Sequence, residues 1–339
     1  MNTDNPGRRL LTAVLIILVA ASLLVTSGCD KKNGTEIKTI GIVLFGDSRQ
    51  PQVDGFRDEL SRLGYKTDES IKYVIRNAKN KRPELKVHVQ ELIDQDVDLL
   101  VAAGGLEADT MKKMVGDTKI PVVVLYVNAI LERGLVKSRR DPGWDVTGVD
   151  NLNAELSGKR VELMQDLLPG MKTILILYYE KITPSRIGVA KAREMAEKSN
   201  ITIDARAVSS RDEIKQTMES LKPGEVDAML TVPTAPIDNA LKDAILPNVN
   251  RLKLPLMTHS RPLAEKGALA SYGAHFYDMG AQAARLADKI LNGIDASKIP
   301  FETPKKFIYT MNEEVKDEMG VQIEDVVRIQ INEYVTTSK

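Results

Sequence analysis

Ile40-Gly41-Ile42-Val43-Leu44-Phe45 is an unbroken apolar run opened by Lys38-Thr39. Such a run fits a strand buried on both faces of a parallel sheet. Lys172-Thr173 opens a second one, Ile174-Leu175-Ile176-Leu177-Tyr178-Tyr179. A helical pattern follows each. After the first, Phe56, Leu60 and Leu63 share a face and Gly64 stops the helix; after the second, Val189, Ala192, Arg193 and Ala196 run toward Asn200. Further landmarks repeat in the same order at nearly the same offset. Val97-Asp98 before Leu99–Ala103 matches Val226-Asp227 before Ala228–Pro233, and Ile120-Pro121 before Val122–Tyr126 matches Leu254-Pro255. Strands alternating with helices imply right-handed crossovers and parallel sheets. The pattern therefore predicts an α/β chain of two Rossmann-like lobes.

A strand-like segment, 268–272, and a helix over about 277–291, stopped by Gly293, remain after both lobes are complete. They predict that the chain crosses back, making a multi-segment hinge. The expected division is lobe 1 from 37–147 plus 274–301, and lobe 2 from 148–273 plus 302–339.

Composition agrees with this and excludes other classes. The 339 residues carry Lys+Arg 47 against Asp+Glu 47, which excludes a strongly basic nucleic-acid surface. Hydrophobic residues at 43% and charged residues at 28% are ordinary for globular chains. Aromatics at 4% are too few for the stacking platforms of single-stranded nucleic-acid binders. The single cysteine excludes an intrachain disulfide or a multi-cysteine metal site. None of the three histidines, His88, His259 and His275, has metal-ligand spacing, so no metal is expected. Gly-x-x-x-x-Gly-Lys-Ser/Thr and Gly-x-Ser-x-Gly are both absent, so neither a phosphate loop nor a nucleophile elbow is present.

Arg8 and Arg9 precede Leu10–Ser27, which carries no charge. This reads as a secretory signal, with a retained anchor helix as the competing reading. Val25-Thr26-Ser27-Gly28-Cys29 resembles a bacterial lipobox. The expectation is a lipoprotein signal peptide over 1–28, lipidation at Cys29 and a polar tether over 29–36.

Segments across the rest of the chain carry a family resemblance. They are Thr147-Gly148-Val149, Glu155-Leu156, Lys159-Arg160, Glu162-Leu163, Leu167–Lys172, Val226-Asp227-Ala228, Val232-Pro233-Thr234, Gly267–Gly273 and Glu302–Lys305. In this order they resemble the substrate-binding lipoproteins of ABC transporters with a type I periplasmic-binding fold, in the branch that includes aromatic-amino-acid binders. The resemblance covers about 37–325. It implies a monomer without cofactors that captures a small solute, an amino acid or similar zwitterion, and delivers it to a permease and its ATPase. It also implies a place on the outer face of the cytoplasmic membrane, held by lipid at Cys29; Asp30 resembles an inner-membrane retention signal. A ligand-loaded sensor docked on a membrane receptor is the alternative, and an extracytoplasmic hydrolase the rival from another class.

Ligands of open parallel sheets lie at the carboxyl ends of the strands. Candidates in the first half are Asp47 and Ser48 after the first strand, Gly105 and Glu107 after the second, and Tyr126 and Asn128 after the third. The glycines permit close approach to a carboxylate at a helix N-terminus, or form only a tight turn. Glu107, where relatives carry a neutral residue, pairs with a ligand ammonium or merely adds charge at a helix start. In the second half the candidates are Tyr179, Thr234, Asp238, His259, Ser260 and Tyr272. Tyr179 is a stacking candidate or ordinary packing; Thr234 and Asp238 seat a polar group or cap a helix. Arg261 departs from the relatives' acid-rich pattern and is a carboxylate clamp or a solvated charge. His275 stands where relatives often carry Asp.

Overall fold

The computed structural model describes residues 37–338, so the signal, the lipidation site and the tether lie outside the described residues. In chain order the first half contains β1 (Lys38–Leu44), α1 (Gln50–Arg62), β2 (Ile71–Asn77), α2 (Arg82–Asp94), β3 (Leu99–Ala102), α3 (Gly105–Met114), β4 (Val122–Val127) and β5 (Val146–Asp150). The second contains α4 (Ser157–Leu167), β6 (Thr173–Tyr178), α5 (Thr183–Lys198), β7 (Thr202–Ala207), α6 (Arg211–Ser220), β8 (Ala228–Leu230), α7 (Ala235–Ala240), α8 (Leu246–Leu252), β9 (Leu256–Thr258), α9 (Arg261–Glu265) and β10 (Ala270–Gly273). After these come α10 (Phe276–Leu291), β11 (Ile308–Asn312), α11 (Glu313–Met319), α12 (Asp325–Arg328) and β12 (Glu333–Val335).

Two sheets result. The first has the order β2-β1-β3-β4-β5, all parallel. The second has the order β12-β11-β10-β9-β8-β6-β7 and is parallel except between β10 and β11. The antiparallel pair corrects the expectation of wholly parallel sheets; β11 enters from the last crossing segment and runs opposite to β10, between it and the edge strand β12. The period of two divides each apolar strand between two faces. Ile40, Ile42 and Leu44 of β1 pack with Val53, Phe56 and Leu60 of α1 and with Met279, Ala283 and Ala287 of α10. Val43 faces the opposite layer with Leu85, Val89 and Leu92 of α2. In the second sheet Ile174 and Ile176 pack with Val161, Val189 and Ala192, while Leu175 and Leu177 pack with Ile214, Met218 and Val249.

The chain crosses between the sheets after β5, after β10 and before β11. β5 keeps Gly148–Asp150 in the first sheet, so the first crossing falls later than the expected 147/148 boundary. At the last crossing, Glu302 pairs with β5: its N–H donates to Gly148 O (2.9 Å) and its carbonyl accepts from Asp150 N–H (2.8 Å). Residue 302 therefore also belongs with the first sheet. The second crossing returns α10 to the first sheet, where it docks on α1. A Cβ at Gly55 would meet the Tyr277 carbonyl, and one at Gly280 the Gln52 carbonyl, so these glycines let the two helix backbones touch.

Arg160, on the first turn of α4, ties two crossings together. Its Nε donates to Tyr272 O (2.8 Å), Nη1 to Asn153 O (2.7 Å) and Nη2 to Asn153 Oδ1 (2.9 Å). Its side chain is 0% exposed. Burial lowers its pKa to about 9, and Tyr272 and Glu155 oppose the shift. The guanidinium is still charged at neutral pH; fixed oxygens replace its water, as the cost of burying a charge requires.

Candidate functional site

Strand ends from both sheets carry a buried polar cluster. Glu107, on the first turn of α3, is 0% exposed. Its Oε1 accepts from the Phe45 N–H (2.7 Å) at the end of β1, and its Oε2 has no hydrogen-bond partner. Arg49 ends a short 3-10 turn, Asp47–Arg49, that follows β1. Its Nε lies 3.7 Å from Glu107 Oε1, and its guanidinium carbon lies 4.9 Å from the centre of the Tyr126 ring. A methyl at Gly104 would press on both side chains, at 3.0 Å from Arg49 Nε and from Glu107 Oε2. The residue before α3 is thus glycine for space, since its backbone is extended (φ −168°).

Burial pulls the Arg49 guanidinium down. Tyr126, Glu107 and Asp238 outweigh that effect and hold its pKa above the ordinary value. Asp238 lies on α7 of the second lobe, so the Arg49 charge is felt across the cleft. Asp238 Oδ2 is 3.5 Å from His259 Nε2, at the end of β9. Asp238 Oδ1, His259 Nδ1, Thr234 Oγ1 and Thr231 Oγ1 are buried without partners, as is Arg49 Nε. Buried polar atoms are normally satisfied, so such a concentration at facing strand ends has bonding capacity to offer a polar ligand and makes this the candidate site.

The predicted residues sort as follows. Glu107, Tyr126, Thr234, Asp238 and His259 belong to the cluster just described. Thr234 is the N-cap residue of α7, yet its side chain makes no cap bond; it is 6% exposed with its hydroxyl unpaired. Ser260 is buried and is the N-cap residue of α9, also without a side-chain cap bond. Gly105 is covered by the guanidinium of Arg133, which pairs with Asp109 (2.7 Å) and reaches the Asn128 carbonyl (3.5 Å). Asp47 and Ser48 are exposed, and Asp47 is held by Asn77 (2.6 Å) and Lys79 (3.2 Å). Those partners lower the Asp47 pKa, through hydrogen bonds first. The structure therefore does not bring Asp47 or Ser48 into the cluster. Tyr179 packs on the Leu175–Leu177 side of its own sheet, and Tyr272 packs on Phe307 and Tyr309. Arg261 pairs with Glu265 (2.9 Å) and Glu333 (3.6 Å), so it is a paired charge rather than a clamp. His275 is 3.7 Å from Asp278 at the start of α10.

Sequence reasoning missed Arg49, Arg133 and Asn153. Arg49 follows Asp47 and Ser48 in the loop after β1, but nothing in the sequence of that loop ranks it above its neighbours. A 3-10 turn places successive side chains about 120° apart, so one residue turns inward while the two before it face solvent. Among the described residues no cluster of His, Cys, Asp and Glu has the makings of a metal site, and no helix is long and apolar enough to cross a membrane.

Comparison with known proteins gives the same frame. A tyrosine-binding protein from Clostridioides difficile (strain R20291) is 27% identical over 333 residues, covering 93% of each chain. Among solved structures, an ABC domain in complex with L-Trp from Streptococcus pneumonia superposes with a TM-score of 0.80 at 24% identity, covering 88% of this chain and 100% of that one. A ligand-free, open substrate binding protein with adhesive properties from Clostridium difficile gives 0.73 at 25% identity, covering 89% and 100%. The family model described as ABC transporter substrate binding protein matches residues 37–335. The two lobes, the threefold crossing and this match over nearly all of the described chain make the protein a member of the ABC transporter substrate binding protein family.

Proposed function

We propose that the chain closes its lobes on an amino acid, most simply an aromatic one, and presents it to an importer's permease and ATPase. The carrying observation is the set of charged groups at facing strand ends: the Arg49 guanidinium, backed by Glu107, in one lobe, and the Asp238 carboxylate beside the His259 ring in the other. A zwitterion carries one charge of each sign and matches both. The name of the Clostridioides difficile relative supports tyrosine as the first ligand to test. Substrate-binding proteins of ABC importers work outside the cytoplasm; attachment by lipid at Cys29 and a monomeric state belong to this proposal.

Closure follows from differential affinity. A ligand touching both lobes favours the state in which both reach it, by the difference in its binding free energy between open and closed forms. The test is thermal unfolding of purified, ligand-stripped protein against amino acids, sugars, nucleosides and organic acids. At about 100 times Kd a specific ligand adds roughly 2.7 kcal/mol of stability. A clear rise with tyrosine or tryptophan supports the proposal. A rise confined to sugars or nucleosides refutes the amino-acid reading.

A further inference from the structure

Resting on the amino-acid reading, we propose that Arg49 is the specificity-determining residue for the ligand's carboxylate, and that Asp238 reads its ammonium. Three features converge on Arg49. First, the guanidinium is fixed: it lies 4.9 Å from the Tyr126 ring centre, and the absent side chain of Gly104 makes room for it. Second, its charge is supported from behind by Glu107, which is itself pinned by the Phe45 N–H (2.7 Å). Glu107 is too buried, at 0% exposure, to be the first group a ligand meets. Third, Arg49 Nε is buried on the Glu107 side at 3.7 Å with no hydrogen-bond partner, so the ion pair with Glu107 does not use up the planar donor fork.

The carboxylate end has further support. Arg49 and Arg133 flank the first turn of α3, one against Gly104 and the other against Gly105. Each has an acid on the same helix, Glu107 and Asp109. The ten-residue helix also presents its N-terminal N–H groups there. Across the cleft, Asp238 Oδ1 and Thr234 Oγ1 are unpartnered acceptors in the second lobe. Arginine and its buried buttress thus occupy one lobe, and the Asp238 carboxylate, with Oδ1 unpartnered, the other. A zwitterion bound with its carboxylate at Arg49 and its ammonium at Asp238 bridges the lobes; an amine without a carboxylate satisfies only one of them.

The experiment compares binding of L-tyrosine, L-tryptophan, tyramine and tryptamine by calorimetry to wild type, Arg49→Met, Arg49→Lys and Asp238→Asn, each checked for an intact melting transition. Arg49→Met is expected to weaken the amino acids by about 30-fold or more, the range of a charged hydrogen-bonded pair, while leaving the amines within about threefold. Arg49→Lys should recover part of the loss, and Asp238→Asn should weaken amino acids and amines alike. A structural role for Arg49 would lower all four ligands together or shift the melting transition, and that result overturns the proposal. Undiminished tyrosine and tryptophan binding by Arg49→Met overturns it as well. Absence of any amino-acid binding by wild type instead overturns the amino-acid reading and takes the proposal with it.

Discussion

Replacing Arg160 by Met tests whether one buried guanidinium holds the hinge. The side chain is 0% exposed and gives three short hydrogen bonds, of 2.7, 2.8 and 2.9 Å, to oxygens of Asn153 and Tyr272. Hydrogen bonds to charged groups contribute about 1.5–3 kcal/mol each, so their loss costs roughly 5–9 kcal/mol. Met fills most of the volume and no longer has to be dehydrated as an ion, which returns several kcal/mol. The balance is a loss of about 3 kcal/mol, because three oxygens stay buried and unpaired. At about 2–4 °C per kcal/mol, the midpoint of thermal unfolding should fall by roughly 6–12 °C. Arg160→Lys should fall nearly as far: an ammonium cannot present the planar fork that spans Asn153 and Tyr272. Asn153 follows β5 and Tyr272 is the penultimate residue of β10, so the variant should also broaden the spread of lobe orientations in small-angle scattering. A midpoint within 1 °C of wild type for either variant, measured by calorimetry at neutral pH, would refute the claim that this clamp stabilises the hinge.

Two further outcomes follow from packing and charge. Gly280→Ala should destabilise by about 1–3 kcal/mol, since its methyl would drive into the Gln52 carbonyl where α10 crosses α1; a neutral result in denaturant unfolding shows that the helices separate at little cost. Glu155→Gln should stabilise the protein at neutral pH but not in acid. Burial raises the Glu155 pKa, and Asp150 and Glu132 add to the shift. The ionised form therefore opposes folding, and the penalty vanishes below the ordinary carboxylate range, where folded and unfolded chains are both protonated. Melting midpoints of variant and wild type should differ at pH about 7.5 and coincide at pH about 3; a larger gain in acid refutes the assignment.

The central strands were legible because burial on both faces leaves an unbroken apolar run. β1, β3, β4 and β6 all announce themselves in this way. The edge strands were not. β2, with Lys72 and Arg76, and β7, with Asp204 and Arg206, alternate charge with apolar residues and expose one side. Periodicity over such short lengths is easily mistaken for loop. β11 and β12 were missed for another reason: their place is decided by the last crossing, and the reversal of direction at β10 leaves no local mark. Boundaries between lobes have the same origin. Val146–Asp150 reads equally well as the end of one lobe or the start of the next, and pairing with Val122–Val127 decides it.

The cleft raises a harder problem, since its charges are compensated over long sequence separations. Glu107 is pinned by Phe45, Arg49 responds to Asp238, and the Asn153 and Tyr272 oxygens are gathered by Arg160. Local pattern carries no record of such pairings, whereas topology does, because every partner sits at a strand end or a crossing. The same topology joins hinge and cleft through direct contacts. Tyr272 O bonds to Arg160, and the absent side chain of the next residue, Gly273, leaves room for the His259 carbonyl and for Asn153 Oδ1. His259 in turn faces Asp238. The crossing segment that the clamp holds therefore lies against the backbone of a residue in the polar cluster. Packed contacts of this kind move together rather than independently. A change in lobe angle would alter the field that Asp238 exerts on Arg49, so hinge geometry and the charge environment of the cleft are linked through this group of residues.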